Sequence, residues 1–175
     1  MNDEVTGEAA SLQVAPPTLS EADIEAKIEA DTQNFFSIRM LDEADSYFSS
    51  LPTEHRHLLV EALVTKSIEM KEQDVVLVSE LFARVRENGL CSPAAFKGGF
   101  NGLAEHLGDL SVDIPHAWAY LAILLRGSGL DQLEKRRGRI TEKTMDTDKL
   151  NSLLWCGVDC IFSICFVLLA YYTTH

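Results

Sequence analysis

The sequence predicts an all-α protein in which antiparallel helical hairpins stack side by side into a small solenoid. Three observations carry this. No stretch of 20–126 sustains the apolar–polar alternation of a half-buried strand. Six segments of about 10–18 residues instead place apolar residues at i, i+3, i+4 and i+7, the spacing of one helix face. The links between them are short and marked by proline or glycine, and helices joined in this way pack as hairpins that stack in series.

Residues 1–19 are polar and acidic, contain Pro16 and Pro17, and read as a disordered lead-in. Ser20 is placed to cap the first helix, with Asp23 three residues on as a shortened capping box and Leu19 as a staple. Ile24, Ile28, Phe35 and Phe36 form its stripe, to about residue 37. Ala44, Tyr47, Phe48 and Leu51 mark the second helix over 40–51, and Pro52 stops it. Thr53 is expected to cap the third, roughly 54–70, whose apolar residues are Leu58, Leu59, Ala62, Leu63 and Ile68. The fourth, about 72–88, carries Val75, Val78, Leu81, Phe82 and Val85 and ends at Asn88-Gly89.

Ser92-Pro93 opens the fifth helix as N-cap and N1 proline, and Phe96, Phe100, Leu103 and Leu107 follow as its stripe. Gly98, Gly99 and Gly102 either weaken this helix or permit close packing. Residues 109–113 read as a short connection, and Asp113 as a cap of the next helix. Pro115 falls in the first turn of the sixth, which carries Trp118, Leu121 and Leu125 and ends at Gly127-Ser128-Gly129. Trp118 and Leu121 are expected to share one core with Phe96 and Phe100. Residues 131–150 are charged and partly helical.

The tail is different in kind. Leu153 to Tyr171 is 19 residues long with one charge, Asp159. Its ten Leu, Ile, Val and Phe contribute around −4 kcal/mol of insertion free energy and the aspartate costs about +3, which makes it a candidate span. Its cysteines, Cys156, Cys160 and Cys165, form no CxxC pair and have no nearby His other than the terminal His175. With Cys91 they read as free thiols and not as a zinc site. The N-terminus lacks the apolar core of a secretory signal, so a reducing, cytoplasmic compartment is expected.

The net charge of −12 is concentrated early: residues 1–50 hold eleven acidic and two basic side chains, whereas 91–150 balance at eight each. This argues against a chain-wide nucleic-acid surface and suits a basic protein partner or simple solubility. The basic run Lys135, Arg136, Arg137 and Arg139 could touch RNA weakly but has no interleaved aromatic residue to stack on bases. No phosphate loop, H-E-x-x-H pair or catalytic constellation is present, so neither an enzyme nor a cofactor is expected. His55 and His57 read as solvated helix residues.

The segment DLSVDIPHAWAYLA, Asp109 to Ala122, resembles the penultimate hairpin of the MI domain. That domain occurs in eukaryotic translation initiation factor 4 gamma and programmed cell death protein 4. FFSIRMLDEADSYFSSLP, EHRHLLVEALVTKSIEMKEQDVVLVSELFARV and CSPAAFKGGF follow the family's order of helices. The likeness covers roughly Glu21 to Leu150, with the domain itself at 20–130, and is nearest to the C-terminal end of the fungal-type factor. It implies a HEAT-like α-α superhelix without enzyme activity that binds the DEAD-box RNA helicase of the cap-binding complex. It further implies that Asp109 and Asp113, the two aspartates of D-x-x-x-D, contact basic residues of that helicase. A full factor of this kind is far longer, so a fragment, a truncated paralogue or an incomplete gene model is expected. The likeness stops near Trp155. Residues 151–175 are then either a tail anchor, which would make the chain a membrane-attached adaptor, or a gene-model artefact. The abrupt arrival of the apolar run favours the latter.

Overall fold

A computed structural model describes residues 20–131. The acidic lead-in with its Leu19 staple, the charged extension, the basic run and the apolar tail lie outside the described residues. Six helices follow in order: α1 Glu21–Ile38, α2 Leu41–Ser50, α3 Arg56–Ile68, α4 Glu72–Glu87, α5 Pro93–Asp113 and α6 Ala117–Ser128, with a single 3₁₀ turn at Thr53–His55. No strand occurs among the described residues.

Local signals set several of the boundaries. The Ser20 hydroxyl accepts the Asp23 amide at 3.2 Å, while the Asp23 carboxylate accepts the Ser20 amide at 3.3 Å, so the short capping box forms. Ser92 accepts the Ala95 amide at 3.1 Å with Pro93 at the first helical position. Gly89 and Gly129 adopt φ of 67° and 73° just past α4 and α6, the left-handed terminus that glycine takes without strain. Thr53 does not cap α3. It opens the 3₁₀ turn after Pro52, and its hydroxyl donates to Glu54 instead. The N-cap position of α3 is His55, which makes no side-chain capping bond.

The hairpins α1–α2, α3–α4 and α5–α6 stack so that α1, α3 and α5 form one layer and α2, α4 and α6 the other. This is the HEAT-like stack of antiparallel hairpins. The most extensive packing is between layer neighbours, α3 on α5 and α4 on α6, and α1 packs more sparsely. Gly99 makes the first of these contacts close: a Cβ there would lie 2.6 Å from Val60 Cγ1 and 2.8 Å from the His57 carbonyl. Between α4 and α6, the Ser79 hydroxyl donates to the Ile123 carbonyl at 3.0 Å, and Gly127 one turn on leaves room for the Ser79 backbone.

One apolar core runs through the stack. Phe82 of α4 meets Phe96 and Phe100 of α5 edge to face, with ring centroids 5.3 and 6.1 Å apart. Trp118 and Leu121 of α6 belong to the same core, as their spacing implied. Polar ties hold the first hairpin to the second. Arg84 pairs with Asp42 at 2.5 Å and Asp45 at 2.8 Å. Arg39 pairs with the buried Asp74 from a left-handed position at the end of α1, φ 59°. Arg56 donates to the carbonyls of Leu51 and Leu90, closing the ends of α2 and α4.

Candidate partner-binding surface

The structure corrects the expected connection at 109–113. These residues form the last turns of α5, which runs to Asp113. The apolar stripe explains why. Leu110 and Ile114 continue Leu103 and Leu107 at helical spacing and pack against the core, so burial extends the helix past Gly108. Pro115 then ends it, because the residue before a proline is pushed out of helical geometry: Ile114 has φ −120° and ψ 90°. Pro115 itself lies ahead of α6 and not in its first turn. Asp113 caps nothing: the N-cap position of α6 is His116, which makes no side-chain capping bond.

Inside a helix, Asp109 and Asp113 are one turn apart on the same face. Both are exposed, and neither has a hydrogen-bond or ion-pair partner among the described residues. Two like charges at this spacing repel, and both stand at the negative end of the α5 dipole, whose last turn holds no basic residue. Each effect costs a few tenths of a kcal/mol. The arrangement opposes the helix it sits in, and no internal contact offsets it. Each carboxylate can accept a charge-assisted hydrogen bond from an incoming Lys or Arg.

The surroundings complete a surface that the pattern in the sequence did not reveal. Val112, between the two aspartates, is 81% exposed, the most exposed large apolar side chain among the described residues. Glu105, also exposed, continues the acidic row one turn before Asp109. Beyond Pro115, the His116 ring lies 6.0 Å from Tyr120. Val112, exposed between the carboxylates of Asp109 and Asp113, is suited to a basic protein surface with an apolar spot.

Among the described residues no three His, Cys, Asp or Glu converge as a metal site. The Cys91 thiol is free and buried, and burial pushes its pKa up to about 12. His57 directs Nδ1 to the Glu54 carbonyl at 2.8 Å beside Gly98. No helix among the described residues is long and apolar enough to cross a membrane. Lys135, Arg136, Arg137 and Arg139 lie outside the described residues.

A sequence model of the MA3 domain matches residues 24–127, from the first turn of α1 into the last turn of α6. The chain belongs to the MA3 domain family. This is the MI-type domain that the Asp109–Ala122 motif resembles. Over 110 residues, 62% of this chain, the sequence is 28% identical to mouse eukaryotic translation initiation factor 4 gamma 3. The match covers 7% of that protein's length, so the chain spans a small part of its relative. Asp109 and Asp113 lie within the matched MA3 domain, near the end of its fifth helix.

Proposed function

We propose that this MA3 domain is a non-enzymatic protein-interaction module of translation initiation, akin to the C-terminal region of fungal-type initiation factor 4 gamma and working in the cytoplasm. Its partner in this reading is the DEAD-box RNA helicase of the cap-binding complex. The helicase's basic side chains take Asp109 and Asp113. The observation that carries the reading is the pair of exposed carboxylates on one face of α5, without partners among the described residues and against the helix dipole. Basic side chains of a partner would offset the repulsion between the two carboxylates and their position at the negative end of the helix. The similarity to initiation factor 4 gamma 3 supports the choice of process.

The test is the double change Asp109→Lys with Asp113→Lys. It replaces attraction by repulsion, and truncating paired interface charges alone costs about 2–5 kcal/mol. Affinity for the helicase is expected to fall at least a hundredfold, about 2.7 kcal/mol. Because neither aspartate caps a helix or has a partner among the described residues, the fold is expected to survive. It is expected to gain a few tenths of a kcal/mol from cations at the C-terminal end of α5. Calorimetric binding, run beside thermal melting by circular dichroism, reads both effects. A folded double mutant with unchanged affinity removes these residues from the interface.

A further inference from the structure

Away from the end of α5, the sparse packing of α1 on α3 leaves a groove of about 770 Å³, open along its length. Its floor is apolar: Ile28 and Phe36 come from α1, Leu58 and Ala62 from α3. From Glu25 to Ser37 the groove follows α1 for about 18 Å, three turns of a helix laid along it. Its rim is charged. Glu25 and Glu29 stand on the α1 side and Glu69 on the other, against a single cation, Lys66, which is already engaged by Glu69 at 3.7 Å.

The shape and charge of the groove point to its occupant. An enclosed pocket suits a small molecule, whereas an open apolar trough of this length suits a row of side chains. The acidic rim repels phosphate, which disfavours RNA and an anionic membrane, and attracts Lys and Arg.

We infer that the α1–α3 groove is a second docking site, which takes an amphipathic helix of a protein partner with an apolar stripe and flanking Lys or Arg. Apolar residues of the partner at i, i+4 and i+7 cover Phe36, Leu58 and Ala62, and its cations face Glu25, Glu29 and Glu69. This site is separate from Asp109 and Asp113, and its occupation does not depend on the proposal made for them.

The probe is a labelled helical 16-residue peptide with leucines at that spacing and lysine flanks, paired with a glutamate-flanked twin. Both are titrated by fluorescence anisotropy against the full chain. The lysine peptide is expected to bind with a dissociation constant below about 100 μM, and the glutamate twin at least tenfold more weakly, about 1.4 kcal/mol. Ala62→Trp, which fills the floor, is expected to weaken binding at least tenfold. Glu25→Lys with Glu29→Lys, both on the exposed rim, is expected to reverse the preference between the two peptides. Binding is expected to persist in the Asp109→Lys, Asp113→Lys variant. No binding of the lysine peptide, equal binding of the twins, or indifference of a folded Ala62→Trp variant overturns the proposal. Self-association of the full chain that Ala62→Trp abolishes overturns it in favour of a second copy as occupant.

Discussion

Replacing Gly99 by alanine sets two effects of known sign against each other. In an exposed helix interior the change stabilises by about 1 kcal/mol, because alanine restricts the unfolded chain and favours the helix. Here the new Cβ would sit 2.6 Å from Val60 Cγ1 and 2.8 Å from the His57 carbonyl oxygen. Ordinary contact needs roughly 3.5–4.0 Å, so α3 and α5 would have to separate by about 1 Å. Val60 is fully buried and stiff at its branch, and His57 presents backbone, so neither can move aside locally. Overpacking of this kind costs about 1–3 kcal/mol, and here it acts on the most extensive interface of the first layer. Gly99→Ala is therefore expected to destabilise by about 1–2 kcal/mol net. Three residues on, Gly102 supplies the comparison, since its Cβ would meet only the flexible end of Glu61, at 2.8 Å. Gly102→Ala is expected to be neutral or stabilising by up to about 1 kcal/mol. Urea unfolding of both variants reads the difference, and the double change with Val60→Ala should recover part of the Gly99→Ala loss as a coupling term. A Gly99→Ala protein more stable than its parent would refute the close approach of α3 and α5.

Trp118, 3% exposed within the shared core, should cost about 3–5 kcal/mol when cut to alanine, and a loss under 1 kcal/mol by chemical denaturation would place the indole outside it. Arg39→Met strands the Asp74 carboxylate, whose side chain is 3% exposed. Because the arginine side chain is itself 49% exposed, the expected loss is about 1–3 kcal/mol, less than for a fully buried pair, and a thermal melt run at two salt concentrations checks it. Cys91 should resist iodoacetamide at pH 8 in the native protein and react on unfolding, as followed by peptide mass mapping. Its folded pKa of about 12 lies above its ordinary value near 9. The native state thus keeps a proton that the unfolded chain loses, and the stability contributed by this thiol is full below about pH 9 and is lost as pH rises toward 12.

Much of the helical order was legible because its signals are local. Ser20 with Asp23, Ser92-Pro93 and the glycines at 89 and 129 each act within four residues, and each forms the terminus that its chemistry implies. The errors arose where distant packing outweighed a local signal. Gly108-Asp109 looks like a turn, yet Leu110 and Ile114 find the core and carry α5 onward through it. Asp74 has the pattern of a surface residue in a first helical turn, and only the fold brings Arg39 to bury it. For the site, the two aspartates were visible as residue types. Their spacing of four gives them a common side in a helical or an extended segment, and that the segment is helix is set by the distant packing of Leu110 and Ile114. The exposure of Val112 depends on how α5 lies against its neighbours, which no spacing rule reports.

The uneven packing of the layers has a consequence for how the molecule breathes. Stacked hairpins unfold as coupled nearest neighbours, so each helix is only as persistent as its contacts with the next. The second and third hairpins share the wide α3–α5 and α4–α6 seams and the Phe82–Phe96–Phe100 cluster. The first hairpin leans on them through a thin apolar seam and a set of polar ties at its corners: Asn34 to Tyr47 within it, and Arg39 to Asp74 and Arg84 to Asp42 and Asp45 across it. Amide exchange in this molecule should therefore run as a gradient, fastest in α1 and α2 and slowest where α4 meets α5. The hairpin that walls the groove is thus the one that can open and reclose while the rest of the stack stays folded.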